Sequence, residues 1–426
     1  MIKRLLKNAS FKNAGWLVSG RMGQMIISLL VGLLTARYLG PSNYGLINYA
    51  TAYTSFFMSF CTLGINSVLV KEFIDHPGEE GEIIGSTLLL RAVSSFLSAG
   101  AIIGLVSVVD AGEPTTIAVT ALCSIGLIFN IFETFHYWFQ SQLRSKVTAM
   151  VLLVGHASMS LYKLVLLALQ KSVVWFAFAT ALDYIVVGIL LLICYQRSGG
   201  GRLSFAWTTA RRLLSQSVHF ILPGVMVAVY GYVDKFMLKQ MLSEADVGYY
   251  ATATALCGMW SFVLAAIVDS MNPTIMSSYK MDLQLFEKKN RCLYAIIFYC
   301  AVAVSLIFCL AGKWIVLLLY GKAYLPAVAP LRVITWYTAF SYLGVARNAW
   351  IVCTGKQRYL KYIYVPSAVS NVLLNLVCIP LWGATGAAAA SLATQILTTM
   401  VVPFLIPELR RNSILMVEGI LFRGIR

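Results

Sequence analysis

The side chains with the greatest chemical capacity in this sequence are the charges that fall inside its long apolar stretches. Six are basic, Arg21, Arg91, Lys163, Lys235, Arg332 and Arg347, and four are acidic, Glu133, Asp183, Asp234 and Asp269. A charge in hydrocarbon costs at least about 2.5–3.5 kcal/mol on insertion scales, so each must face a cavity, meet a partner or reach the interface along a long stem. Arg21 shares one helical stripe with Gln24, Ser28 and Thr35, and a polar stripe on an apolar helix looks at water or at a ligand. Asn48 opens a second stripe with Ser55, Ser59, Thr62 and Asn66, for which hydrogen bonding between packed helices is the alternative reading. Asp234, beside Lys235, either binds a coupling cation or proton or neutralises Lys235 or Lys163. Asn371 and Asn375 stand four apart, as do Thr394 and Thr398, and supply the neutral oxygens that complete a shell for a hard cation such as sodium around an acid. Six basic groups against four acids leave the interior positive by two, a mild preference for an anionic cargo.

The remaining charges read as scaffold. Arg91 and Arg347 lie near helix ends and are expected to snorkel to the interface. Lys163, Asp183, Asp269 and Arg332 are candidates for internal ion pairs. In IFETFHYWFQ, Tyr137 and Trp138 read as an interfacial aromatic belt before they read as a sugar-stacking platform. His136, His156 and His219 are scattered, and no Ser-His-Asp or metal-ligand spacing emerges, so the sequence offers no catalytic constellation. The nine cysteines sit singly in apolar segments, which supports neither a zinc site nor a disulfide framework.

The elements that must position these groups are membrane helices. Of 426 residues, 59% are hydrophobic and 12% charged, with a mean hydropathy of +0.78, whereas soluble domains are about a quarter charged. Apolar stretches of 20 residues or so match a hydrocarbon core about 30 Å thick. The pattern predicts an all-α membrane protein of twelve transmembrane helices, at 15–36, 44–69, 83–109, 115–140, 147–169, 172–195, 217–241, 249–273, 291–312, 326–350, 361–382 and 384–408. Lys3, Arg4, Lys7 and Lys12 precede the first of these, which lacks a cleavage site and is expected to be retained. Of 33 Lys and Arg, 22 fall on the side of the N-terminus, five on the opposite side and six within spans, which predicts both termini cytoplasmic. Basic inner loops facing anionic lipid account for the net charge of +16 without nucleic-acid binding. No connection is long enough for a folded extramembrane catalytic domain.

The chain also repeats itself. YLGPSNYGLINYATA (38–52) and MLSEADVGYYATATA (241–255) align with Gly45 over Gly248, an offset of 248 − 45 = 203, and LYKLVLL (161–167) echoes LLNLVCI (373–379). A period of about 200 residues is far beyond a solenoid unit and indicates two homologous halves. Six spans per half predict two parallel-repeat six-helix lobes, 1–195 and 217–408, joined by a cytoplasmic linker at 196–216 and followed by a basic cytoplasmic tail at 409–426. The tail is either an amphipathic surface helix or a frayed segment.

KNAGWLVSGRMGQ, ARYLGPSNYGLINYATAY, YGYVDKFMLKQMLSEADVGYYATA, LYGKAYLPAVAPLRVI, GKQRYLKY and GATGAAAASLATQ, in this order, resemble the Wzx-type polysaccharide flippases of the multidrug/oligosaccharidyl-lipid/polysaccharide exporter superfamily. The resemblance implies a non-enzymatic flippase. It would move a polyprenyl-diphosphate-linked oligosaccharide from inner to outer leaflet by ion-coupled alternating access, for O-antigen or capsule assembly at a bacterial inner membrane. It places Arg21, Gln24, Asn48, Lys163, Lys235 and Arg332 on the cargo, where planar arginine donors match phosphate oxygens. Asp234, with Asn371, Asn375 and Thr394, would hold the coupling ion, Na+ or H+; no other cofactor and no metal is implied. Implied partners are membrane lipids, a polysaccharide polymerase and a chain-length regulator. The alternative within the superfamily is a multidrug or small-molecule cation antiporter, for which an acidic, largely apolar cavity is expected.

Overall fold

The computed structural model describes the backbone of residues 9–279 and 281–424, and the side chains among them except those of residues 9–22, 25 and 26. Helices dominate, and no strand occurs among the described residues. The chain forms two compact units. The first holds the residues up to Leu39 together with Leu46–Ala228, and the second holds Gly40–Gly45 with Val229–Arg426.

In unit 1, α1 (Ala9–Cys61) is followed by α2 (Asn66–Asp75), α3 (Glu80–Val109), α4 (Pro114–Phe129), α5 (Thr134–Ser141), α6 (Ser145–Ala168), α7 (Val173–Arg197) and the first part of α8 (Trp207–Met241). The 3-10 turn Asn130–Glu133 joins α4 to α5. α7 packs on α4 and α6, and α3 on α4. Ile65, Leu69, Phe73, Ile83, Phe135, Phe139 and Tyr195 form the core where these helices meet. Trp138 is buried there with its ring edge-on to Tyr195 at 4.9 Å, so it belongs to the core and not to an interfacial belt. Residues 202–204 lie directly on α3, because a Cβ at Gly81 or Gly85 would meet the carbonyls of Arg202 and Ser204. Arg212 ties the start of α8 to Glu72 at 3.0 Å and to Glu79 at 2.9 Å.

Unit 2 continues with α9 (Glu244–Gly258), α10 (Ser261–Tyr279), α11 (Leu283–Leu319), α12 (Val328–Ile334), α13 (Tyr337–Cys353), α14 (Leu360–Trp382), α15 (Ala384–Ile396), a π-helical turn Leu397–Val401, α16 (Val402–Leu405) and α17 (Pro407–Ile420). The last helix is neither frayed nor free. It buries Leu409, Leu415 and Met416, approaches α11 so closely that a Cβ on Gly419 would meet the Arg291 carbonyl, and is tied by Arg291 to Glu418 at 2.6 Å.

Ten helical segments among the described residues are long and apolar enough to span a membrane, where twelve are expected from sequence. The expected spans 15–36 and 44–69 count as one segment here, but Gly40, with φ of 73° and ψ of 171°, is non-helical, so α1 consists of two helices meeting at a kink. Glycine takes this left-handed conformation without strain, and Pro41 then enters the continuing helix without an N–H to satisfy. The expected span 326–350 is instead broken at Thr335–Trp336 into α12 and α13, each short of a full crossing. At the break, the Ser305 hydroxyl donates to the Thr335 carbonyl at 3.0 Å.

The repeated stretches meet each other inside unit 2. A Cβ on Gly45 would collide with the Glu244 carbonyl, and one on Gly248 with the Pro41 carbonyl. Ser42 donates to Glu244 at 3.0 Å across the same contact. The two glycines that mark the repeat are therefore where two backbones approach, as small residues allow between membrane helices. Gly248→Ala should lower stability by about 1–3 kcal/mol, because the obstacle is backbone and cannot repack. Gly104→Ala on α3, with open space around it, should instead be neutral or stabilising by about 0.5–1 kcal/mol. Melting curves of the two detergent-purified variants measure the difference.

Candidate functional site

Unit 2 gathers four helices around one carboxylate. Asp234 of α8 is 2% exposed. Its Oδ2 accepts from the Tyr250 hydroxyl of α9 at 2.6 Å and from the Ser391 hydroxyl of α15. Its Oδ1 accepts from Asn375 Nδ2 of α14 at 2.7 Å. Asn375 also donates to Asn371, to the carbonyl at 3.0 Å and to Oδ1 at 3.2 Å, and Asn371 Nδ2 donates to Thr394 Oγ1 at 3.3 Å. The spacing of four on α14 puts both asparagines on the face that meets α15, and the alanine-rich start of α15 (ATGAAAAS) lets the two helices pack closely.

The carboxylate is thus held by neutral donors, so its charge is not cancelled by a bound guanidinium or ammonium among these partners. Asn375 Oδ1 is buried with no hydrogen-bond partner among the described residues. A negative carboxylate, a spare amide oxygen and nearby hydroxyls form a donor set for a hard, oxygen-seeking cation. No cluster of three or more His, Cys, Asp or Glu side chains suited to a metal occurs among the described residues. A cavity of about 270 Å³ reaches Asp234, Tyr250 and Ser391, and its lining also includes the hydroxyl-bearing Tyr230, Tyr337 and Ser341 beside the apolar Ile334.

Unit 1 holds a second polar centre. Arg91, expected to snorkel, is instead 1% exposed, and both its terminal nitrogens are engaged. Its NH1 donates to Asn66 Oδ1 at 3.3 Å and Thr134 Oγ1 at 3.2 Å. Its NH2 donates to the Asn130 carbonyl at 3.1 Å, Asn130 Oδ1 at 2.6 Å and Glu133 at 3.3 Å. The 3-10 turn at 130–133 presents these acceptors together, which a regular helix would not do. Nearby, His156 Nδ1 lies 2.9 Å from Asp183 and its Nε2 faces the Gln24 amide. Gln24, Asn130, Glu133, His156 and Asp183 line a cavity of about 470 Å³.

Arg347, also expected to snorkel, is likewise buried at 1% exposure and donates to the Thr398 carbonyl at 3.0 Å. That carbonyl lies in the π-helical turn, where the regular ladder is interrupted and backbone acceptors need other donors.

Of the residues singled out in sequence, Asp234, Asn371, Asn375 and Thr394 come together. Gln24 lines the unit 1 cavity, and Lys163 feels the charge of Asp183 there. Lys235 feels that of Asp234. Asn48 sits partly buried on α1, its carbonyl accepting from Thr51. Arg332 is exposed on α12, with Nε donating to the Cys309 carbonyl at 3.2 Å, so it is bound to α11 and not to Asp234. The Arg21 backbone is helical, and its side chain lies outside the described residues. Sequence reasoning missed Tyr250, Ser391, Asn130 and the role of His156. Ser391 carried a signal, three residues before Thr394 on the same face; Tyr250 and His156 carried none.

Two units of helices long and apolar enough to span a membrane, each with a polar centre inside, define a multi-pass membrane protein. By fold the chain is similar to a multidrug resistance MATE family transporter of the MOP superfamily in an inward-facing conformation (TM-score 0.69, 15% identity, 93% of this chain and 96% of that one). It is also similar to the lipid II flippase MurJ in an inward closed conformation (TM-score 0.72, 12% identity, 95% and 92%) and to a MOP superfamily transporter from Pyrococcus furiosus (TM-score 0.63, 12% identity, 99% and 96%). At these identities the likeness shows the fold. No curated protein matches the chain by sequence. Residues 10–279, more than half of the chain, match the family described as polysaccharide biosynthesis protein, and the chain belongs to that family. The family match and the fold agree with the resemblance to Wzx-type flippases, and the similar solved structures are transporters and a flippase.

Arg91→Ala should cost about 1–3 kcal/mol, because it removes the donors from the Asn66, Asn130 and Thr134 acceptors. The expected readout is loss of the monodisperse peak in size-exclusion chromatography of the detergent-solubilised variant, with Arg91→Lys only partly rescuing it.

Proposed function

We propose that the chain is a flippase that translocates a polyprenyl-diphosphate-linked oligosaccharide from the inner to the outer leaflet of a bacterial cytoplasmic membrane, for surface polysaccharide assembly, by ion-coupled alternating access. Membership of the polysaccharide biosynthesis family supports the cargo class. The observation that supports the coupling is the neutral shell of Asp234 with its spare Asn375 oxygen, an oxygen-rich set drawn from four helices that would suit Na+. A ligand that ties four helices together in one state and not in another biases their arrangement by its difference in affinity. The glycan and diphosphate need such a path because their charges and hydroxyls would lose hydration in hydrocarbon.

The finer reading keeps twelve spans, six in each of two parallel-repeat lobes (1–195 and 217–408), with the 196–216 linker, the tail at 409–426 and both termini cytoplasmic, on the strength of the internal repeat and the bias of Lys and Arg. Arg21, Lys163, Lys235 and Arg332, with Gln24 and Asn48, face the cargo, and Asp234, Asn371, Asn375 and Thr394 face the ion. Anionic lipid, a polymerase and a chain-length regulator are the partners. A multidrug or small-molecule cation antiporter is the second reading, favoured by the two carboxylates, Glu133 and Asp183, that line the unit 1 cavity.

In cells depleted of the protein, polyprenyl-diphosphate oligosaccharide should accumulate, shielded from an impermeant sugar-oxidising probe. Unchanged lipid-linked glycans with altered sensitivity to cationic drugs would select the antiporter. Arg21→Ala and Asp234→Asn should each abolish export at unchanged membrane abundance. For the purified protein, Na+ in place of K+ at equal ionic strength should raise the melting midpoint, by about 2.7 kcal/mol of stability at a hundredfold excess over Kd. Asp234→Asn should erase that difference, and a Na+ effect persisting in the variant would move the ion elsewhere.

A further inference from the structure

The 470 Å³ cavity of unit 1 falls within the roughly 300–1,000 Å³ of ordinary ligand pockets, and the ion centre of unit 2 makes no use of it. Its two kinds of wall have a chemical meaning. The rings of Phe129 and Tyr184 give it flat apolar surface, and Gly126 leaves room for the Tyr184 ring, which a Cβ there would meet at 2.7 Å. The polar wall consists mainly of acceptors. Glu133 has one oxygen committed to Arg91 and Asn66. Asp183 has Oδ2 against His156, while its Oδ1 is buried with no hydrogen-bond partner among the described residues.

An unmet buried acceptor calls for a donor, and leaving it unmet costs about 1–3 kcal/mol or more for a charged group. The neighbouring positive groups, Arg91 on Glu133 and Lys163 near Asp183, already face the two carboxylates. A full positive charge is therefore not what the site lacks. An anion fits worse still, because phosphate and carboxylate oxygens bring no donors to the Asp183 oxygen. What answers both walls is an uncharged group with several hydroxyl donors on its edge and an apolar face for an aromatic ring. A pyranose has both.

We propose that this cavity seats an uncharged sugar residue of the cargo, which donates hydroxyls to Asp183 and Glu133 and lays a ring face on Phe129 or Tyr184. The inference rests on the flippase reading and deepens it. Glycan selection is separated from diphosphate capture, and Asp183 and Glu133 discriminate against acidic sugars at this position.

Saturation-transfer-difference NMR on the full-length protein in nanodiscs tests the inference, with glucose, galactose, mannose and N-acetylglucosamine as neutral probes, glucuronic acid as the anion and tetraphenylphosphonium as the cation. At least one neutral sugar should give a saturable signal, and glucuronic acid should not displace it. Asp183→Asn should weaken that sugar by about tenfold, roughly 1.4 kcal/mol. Tyr184→Ala, which leaves both carboxylates in place, should weaken it comparably, so a folding defect in one variant does not decide the outcome; size-exclusion profiles identify the folded ones. Displacement by glucuronic acid or by tetraphenylphosphonium, the absence of any neutral-sugar signal, or wild-type binding in both variants would overturn the proposal. Its failure is distinct from failure of the flippase reading. Accumulation of lipid-linked glycan on depletion would persist if only the cavity inference were wrong, and would be absent if the flippase reading were wrong.

Discussion

Hydrocarbon offers no water to a stranded charge, so every polar group inside these helices must be answered by the protein itself. The interior of each unit follows from that constraint. Arg91 spreads its donors over two side-chain amides, a hydroxyl, a carbonyl and a carboxylate. Arg347 takes a carbonyl that the π-helical turn releases. Asp234 takes three neutral donors from three other helices. Each buried hydrogen bond contributes only about 0.5–1.5 kcal/mol net, yet losing one partner costs more, so these groups act as locks on helix position more than as sources of stability.

The two centres answer the constraint in opposite ways, and the difference has functional weight. Around Glu133 and Asp183 the partners are built in: Arg91 pairs with Glu133 at 3.3 Å, and His156 Nδ1 lies 2.9 Å from Asp183. Around Asp234 the hydrogen-bond donors are neutral, and Lys235, next to it in sequence, is a positive group that feels its charge. An exchangeable ion acts on conformation only if the protein has not already cancelled the field it would feel.

Packing imposes its own limit. Membrane helices gain little from hydrophobic contact with each other and depend on close approach instead. The Gly45 and Gly248 contacts, the seat of residues 202–204 on Gly81 and Gly85, and the α11–α17 contact at Gly419 are all places where one backbone touches another with no side chain between. These positions fix the distances at which the polar networks can form. A displacement of a helix by one methyl group would stretch a 2.6 or 2.7 Å bond to Asp234 beyond use.

The sequence by itself determined the class. Apolar length, the scarcity of charge and the bias of Lys and Arg make a polytopic helical protein because hydrocarbon thickness and backbone hydrogen bonding leave few alternatives. It also disclosed the repeat, and periodicity of four placed Asn371, Asn375, Thr394 and Thr398 on usable faces. It did not reveal that Arg91 and Arg347 are buried, since a long side chain near a helix end reaches water or a partner equally well until neighbouring helices are placed. Nor did it pair His156 with Asp183, or bring Tyr250 and Ser391 to Asp234. Those contacts join residues 16 to 157 positions apart, and the spacing along one helix carries no record of which other helix it will face. Only the tertiary structure decided which intramembrane charges are cancelled and which remain open, because that depends on distances between helices and not on the order of residues within them.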